Sequence, residues 1–222
     1  MKIFADTANK EQIARLINLG VVDGVTTNPS LFAKEPKGDF IAMCKEIKTL
    51  CETKKLPLSV EVFSLDPEKM YSEAREIYSA LEYQSLSIKI PIKLEYLPVV
   101  SKLANEGINV NVTCCYTSSQ LVLAAKSQAR YVSLFYRRAI DSGEDVKSHL
   151  TSTRNYIDQL GLNCEIIAGS IRQPIDIIES WNYGAHIVTA GPHVIDACLS
   201  HPGTDSSIEG FTRDFSSWIS KT

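Results

Sequence analysis

Lys89 sits in the run SLSIKI, residues 85 to 90, where every second residue is apolar. In an extended strand this alternation sends Leu86, Ile88 and Ile90 to one face and Ser85, Ser87 and Lys89 to the other. Glu61 alternates in the same way with Leu58, Val60 and Val62. An ammonium and a carboxylate on the inner faces of strands are costly to bury unless they are paired or put to use. A structural salt bridge would meet that cost without chemistry. A lysine tuned by burial and by its neighbours offers more, because its amine is a nucleophile. The chain shows neither metal-ligand spacing nor a cofactor-binding loop, so the amine points toward attack on a carbonyl carbon.

Other polar residues fall at matching places. Asn111 and Thr113 alternate with Val110 and Val112, and Ser133 and Phe135 with Val132 and Leu134. Asp6 ends the first β-branched run, Asn28 follows the second in VTTNPS, and Ser170 ends the seventh. Alone, a strand-end Asp, Asn or Ser is commonly a helix cap. Arg138 lies just beyond the sixth run, and Ser170 and Arg172 lie in AGSIRQP before a helix. Late strand-to-helix loops and helix N-termini are frequent phosphate sites in barrels, so this trio favours a phosphorylated substrate. The histidines at 149, 186, 193 and 201 avoid the inward strand ends and have no H-x-x-x-H spacing, and they read as surface or helix-end residues. The six cysteines, at 44, 51, 114, 115, 164 and 198, contain no C-x-x-C pair and read as buried free thiols.

These side chains need a scaffold that brings strand ends together. Candidate strands cover 2 to 6, 22 to 27, 57 to 63, 85 to 90, 108 to 113, 130 to 136, 163 to 169 and 185 to 189, which makes eight. Between them, apolar stripes at helical spacing run through Ile13, Leu16 and Ile17, through Met70, Ala74, Ile77 and Leu81, through Leu121, Ala124 and Ala125, and through Val146, Leu150, Ile157 and Leu160. Asn9 with Gln12, and Asp66 with Pro67 and Glu68, mark helix starts. Eight β/α repeats in 222 residues predict an α/β fold, one (β/α)8 barrel domain spanning residues 1 to 222. In such a barrel, chemistry belongs at the strand C-termini. A further stripe of Ile208, Phe211, Phe215, Trp218 and Ile219 predicts an additional C-terminal helix that must pack on this barrel or on a neighbour.

Hydrophobic residues make up 44% of the chain and charged residues 22%, ordinary usage for a globular protein. A chain of this size buries roughly 70% of its unfolded surface without help from metals or disulfides. The net charge of -3, with both signs well mixed, gives no footprint for nucleic acid. Apolar runs such as 40 to 44 and 121 to 125 are far too short to span a bilayer. The start MKIFADTANK lacks a secretory signal, which makes the cytoplasm the expected address.

Taken together and in order, FADTAN, VTTNPS, VEV, IKIP, NVT, YVSLF and GSIR, with SHPGTD near the end, resemble the transaldolase family. The resemblance is to its short, single-domain branch, which also contains fructose-6-phosphate aldolases, and it covers nearly the whole chain. It implies that Lys89 is a Schiff-base lysine, Asp6 the acid/base at the bond being cleaved, and Glu61 with Thr113 the pair that handles a catalytic water. It also implies that Asn28, Asn111 and Ser133 hold hydroxyls of the three-carbon donor fragment, and that Arg138, Ser170 and Arg172 hold phosphate. The aldolase members carry Gln and Tyr where this chain has Glu61 and Phe135, so both positions follow the transaldolase pattern. The resemblance further implies sugar phosphate substrates, no cofactor and no metal, and ring-like homo-oligomers that are commonly decamers of two pentamers. The chain departs from the family pattern at Lys93, Arg137 and Ile140, and Lys93 would bring a second ammonium close to Lys89. A fructose-6-phosphate aldolase and a catalytically silent sugar-phosphate-binding barrel are the alternatives.

Overall fold

The computed structural model describes residues 1–220. Eight parallel strands close into a barrel in chain order. They are β1 (Lys2–Asp6), β2 (Gly24–Thr26), β3 (Leu58–Glu61), β4 (Leu86–Pro91), β5 (Asn109–Cys115), β6 (Tyr131–Phe135), β7 (Glu165–Ile171) and β8 (Ile187–Ala190). Around them lie α1 (Lys10–Leu19), α2 (Pro29–Phe32), α3 (Phe40–Glu52), α4 (Pro67–Leu81), α5 (Leu97–Asn105) and α6 (Ser118–Lys126). The circuit continues with α7 (Tyr136–Asp141), α8 (Val146–Leu160), α9 (Pro174–Asn182), α10 (Pro192–Ala197) and α11 (Pro202–Ile219). This is the (β/α)8 barrel that the eightfold repeat predicts, with the extra terminal helix that the 208–219 stripe predicts.

Helix starts follow side-chain caps. Asn9 accepts the Gln12 N–H at 2.9 Å to open α1, and Asp66 accepts the Lys69 N–H at 3.0 Å to open α4, where Pro67 takes the first helical position. The outward strand residues Val60, Ile88, Val110, Val132 and Val188 are fully buried beneath the helices in one continuous core. A separate inner cluster of Phe4, Tyr131, Ile167 and Ile187 fills the barrel. Gly24, in register with Phe4, leaves room for that ring, because a Cβ there would lie 2.6 Å from it. One step along each strand the inward positions turn polar, at Asp6, Thr26, Ser133 and Thr189. The apolar cluster is therefore the floor of a polar chamber.

Two irregularities shape that chamber. The β5–β6 register shifts between Val112 and Cys115, and the β7–β8 register between Ala168 and Ile171. At these bulges Cys114 and Ser170 take left-handed backbone with φ of 62° and 59°. Each bulge adds a residue to the strand and so breaks the alternation of faces. Cys115 and Ile171 consequently pack into the outer core, while Thr113 with Cys114, and Gly169 with Ser170, both line the chamber.

The expected strand ends need correction accordingly. β5 and β7 run to 115 and 171, two residues past the simple alternation, and β2 is confined to Gly24–Thr26. Helices outside the four expected stripes complete the circuit, among them α3, which buries Cys44, Ile47 and Cys51, and α5, which buries Val99, Val100 and Leu103. The thiols also need correction. All six are free, but Cys114 is half-buried and Cys198 is exposed. Burial pushes Cys44, Cys51 and Cys164 up to about 12, which makes them inert apolar filler.

Three of the four histidines make local structural contacts. His149 Nε2 lies 2.8 Å from Glu144, His186 Nδ1 accepts the Ile166 N–H, and His201 Nδ1 accepts the Gly203 N–H at the start of α11. Burial, with Arg154 nearby, holds His186 below the ordinary histidine range. Among the described residues no helix is long and apolar enough to cross a membrane.

Candidate active site

At the C-terminal mouth of the strands a cavity of about 260 Å³ is lined by Asp6, Asn28, Glu61, Lys89, Asn111, Thr113, Ser133, Phe135, Arg138 and Ser170. Strand register explains the grouping. Glu61 pairs with Lys89 and Lys89 with Asn111, so three inward side chains stand at one level on consecutive strands. Lys89 Nζ lies 3.0 Å from Glu61 Oε2 and donates to the Thr27 carbonyl at 2.8 Å. Both charged side chains are largely withdrawn from solvent, at 7% and 12% exposure. The structure therefore contains the salt bridge that a purely structural reading would need, and places it facing the cavity.

Asp6 stands across from this pair. Its Oδ1 accepts the Thr26 hydroxyl at 2.7 Å. Burial raises the Asp6 carboxyl above its ordinary range, against the opposing pull of the Lys89 ammonium and the Thr26 hydrogen bond. A carboxyl held up in this way suits proton transfer better than it suits a fixed ion pair. Asn111 is oriented from both sides, since Ser133 donates to its Oδ1 at 2.7 Å and its amide donates to Ser59 Oγ at 3.2 Å. Asn28 is also a helix cap, its Oδ1 taking the Leu31 N–H that opens α2. The capping and lining roles thus coexist in one residue.

The expected phosphate trio of Arg138, Ser170 and Arg172 does not converge. Arg138, on α7, and Ser170 line the cavity, and the Arg138 guanidinium lies over the Phe135 ring at 4.7 Å. Arg172 instead points to Asp141, 2.7 Å away, with both side chains more than half exposed. Lys93 is likewise turned aside. It pairs with Glu95 at 3.6 Å, lies over the Tyr96 ring, and is not among the cavity residues. Arg137 bonds the fully buried Asp176, which also accepts the backbone N–H groups of Arg172 and Gln173, each at 3.0 Å. Burial raises the Asp176 carboxyl, but the Arg137 guanidinium and the two N–H groups more than reverse this and hold it below its ordinary range. Arg137 therefore clamps the turn between β7 and α9 and does not enter the cavity.

A family model described as Transaldolase/Fructose-6-phosphate aldolase matches residues 3–221. The chain belongs to the transaldolase/fructose-6-phosphate aldolase family. Among its relatives, a protein of Methanococcus maripaludis named probable transaldolase is 42% identical over 221 residues, covering 100% of both chains. One of Clostridium acetobutylicum with the same name is also 42% identical over 221 residues, again across both full lengths. A third, from Symbiobacterium thermophilum and so named, is 39% identical over 215 residues, or 97% of each. Membership makes the chain an enzyme of aldolase-type chemistry and makes the Lys89 cavity the place to look for it.

Beyond the residues expected from the sequence, the cavity is also lined by Thr26, Pro29, Ser30, Cys114, Gly169 and Thr189. Thr26 and Thr189 were findable by the same alternation that exposes Lys89. Cys114 was not, because the bulge puts it on the face its parity denies. Among the described residues no group of three His, Cys, Asp or Glu side chains is arranged to hold a metal ion. A second depression of about 370 Å³, near the strand N-termini, is lined by Gly107, Lys126, Gln128, Arg130 and Asn163, and its Arg130 is engaged by Glu165 at 2.6 Å.

Proposed function

We propose that the chain is a cytoplasmic transaldolase of the pentose phosphate pathway. It would move a dihydroxyacetone unit from fructose 6-phosphate or sedoheptulose 7-phosphate to erythrose 4-phosphate or glyceraldehyde 3-phosphate. One observation carries the reading: a buried lysine amine 3.0 Å from a carboxylate shares a small polar cavity with a second carboxyl whose proton affinity burial has raised.

In this mechanism Lys89, as the neutral amine, attacks C2 of the donor, and its surplus proton passes to Glu61. Loss of water, handled by Glu61 and Thr113, leaves an iminium. The C3–C4 bond then breaks, its electron pair flows to the iminium nitrogen, and Asp6 takes the proton of the C4 hydroxyl. The aldose phosphate departs and the enamine remains. Its C3 attacks the aldehyde carbon of the acceptor, while Asp6 returns the proton to the new hydroxyl. Hydrolysis of the imine releases the product ketose. Asn28, Asn111 and Ser133 hold the hydroxyls of the three-carbon unit, and Arg138 and Ser170 hold the phosphate end, with Arg172 available only if it leaves Asp141.

Transfer is favoured over simple cleavage because Phe135 offers no hydroxyl toward the cavity, where a tyrosine would help hold a water that protonates C3 of the waiting enamine and then hydrolyses the iminium at C2. The test is fructose 6-phosphate turnover with and without erythrose 4-phosphate. Sedoheptulose 7-phosphate formed only with acceptor, and little free dihydroxyacetone, is the expected result. Cleavage at the same rate without acceptor would make the protein a fructose-6-phosphate aldolase, and no turnover in either arm would leave a silent binder.

A further inference from the structure

Seven of the eight strands, or the turns directly after them, supply a residue to which the proposed mechanism gives a role, and β8 supplies none. Yet Thr189 of β8 lines the cavity, is 6% exposed, and touches the reacting set through one intermediary. β1 is flanked by β2 and β8, so Thr26 and Thr189 reach over it from opposite sides. Their hydroxyl oxygens meet at 2.6 Å.

Counting protons gives the direction of this row. Thr26 has one hydroxyl proton, and it is committed to Asp6 Oδ1 at 2.7 Å. Thr189 must therefore be the donor in its contact with Thr26. The Phe4 carbonyl, at 3.4 Å from Thr189 Oγ1, is the weaker acceptor for that proton. Hydrogen bonds in a row polarise one another, and an ionised end acceptor strengthens each.

We propose that Thr189 is a positioning residue for Asp6: its proton locks the Thr26 hydroxyl onto Oδ1, which favours the carboxylate and leaves Oδ2 to take the substrate proton. No proton leaves the row in this scheme. The C4 hydroxyl proton arrives at Oδ2 and returns from Oδ2, while both threonine protons stay on their oxygens. The other groups acting on Asp6 are the Lys89 ammonium on β4 and Lys34 after α2, which favour the charged form, and Glu61 on β3, which opposes it. Thr189 sets the balance among them through Thr26. The inference rests on the reading of Asp6 as acid/base, and its test separates the two.

Full-length protein carrying carbon-13 in its aspartate carboxyls is titrated without substrate, the Asp6 signal being assigned with Asp6→Asn, and the pH profile of transfer is measured alongside. Thr189→Val, which keeps shape and removes the hydroxyl, should move the Asp6 titration and the acid limb of kcat to higher pH. On that limb kcat should fall about three- to tenfold, the size of a shift of half to one pH unit, with KM little changed. Thr189→Ser should restore both, and Thr189→Ala provides the same comparison should valine prevent folding. An Asp6 titration unchanged by loss of the hydroxyl, or serine behaving like valine, would overturn the proposal. A titration that moves while the acid limb of kcat stays put supports the hydrogen-bonded row and rejects Asp6 as the acid/base.

Discussion

Asp6 serves chemistry against the interest of the fold. Its carboxyl is raised by burial, so the native state binds that proton more tightly than the unfolded chain does. Stability contributed by this group is therefore greatest at low pH and is lost as pH rises from the ordinary carboxylate range through the raised value. Asp6→Asn should abolish transfer yet melt higher than wild type at pH 7, with the gap narrowing as pH falls. Thermal melts at pH 7 and pH 5 check this, and a variant less stable at pH 7 would reject it. The two arginines also separate at this scale. Arg138 lines the cavity and Arg172 is engaged by Asp141 outside it. Arg138→Ala should raise KM for phosphorylated donors about tenfold or more, the worth of a lost charge-assisted contact, and Arg172→Ala should raise it much less. Steady-state kinetics with free dihydroxyacetone as control distinguish lost phosphate contacts from general damage. Strand alternation alone placed Lys89, Glu61, Asn111, Thr113 and Ser133 on the inner face, because parity is a local property. It could not show that the Arg172 side chain leaves the trio, since the partner Asp141 is distant in sequence.

Single residues are aimed by their elements, and two bulges do most of the aiming. At β5 and β7 the left-handed residues Cys114 and Ser170 turn an alternating strand into one that offers two consecutive residues to the cavity. Neither position is glycine, the residue that usually marks such backbone, so nothing local signalled a bulge. That is why β5 and β7 extend past the ends expected from alternation. The turn after β7 is then fixed by Arg137, which the family pattern did not explain. Its guanidinium bonds Asp176, whose carboxylate gathers the N–H groups of Arg172 and Gln173 at the start of α9. Arg137→Ala would leave a buried carboxylate without its cation, a loss of about 3 kcal/mol, and would loosen the turn that follows Ser170 at the end of β7. Denaturant unfolding should show the loss, together with a raised KM for sugar phosphates. Wild-type stability would mean the clamp is ornamental.

In the whole molecule, closure of eight strands over the Phe4, Tyr131, Ile167 and Ile187 floor accounts for the cavity, but not for α11. No residue of α11 is buried, and Ile208, Phe211, Phe215 and Trp218 are each more than half exposed, with Phe215 and Trp218 stacked at 5.8 Å. The stripe was legible in the sequence, whereas what covers it was not, because a period gives a face and never its partner. The described structure removes packing on its own barrel. An apolar face of this size in water suits a neighbour, and we propose a second copy of the chain, in the ring-like homo-oligomer that the family resemblance implies. Truncation before Thr204 should convert a high-mass species into smaller ones on light scattering while leaving much of the circular dichroism of the barrel. A monomeric full-length protein would reject this assembly and leave the chemistry intact, since Asp6, Glu61, Lys89 and Thr113 all come from one barrel.

The proposed mechanism turns on a covalent bond between Lys89 and the donor C2 carbon, and borohydride trapping reads that bond directly. Wild-type protein reduced in the presence of fructose 6-phosphate should gain, on the peptide containing Lys89 and on no other, the mass of one reduced dihydroxyacetone unit. Lys89→Met should gain nothing. No added mass on the wild-type protein, or an adduct carried by Lys34 or Lys93 instead, would contradict the account.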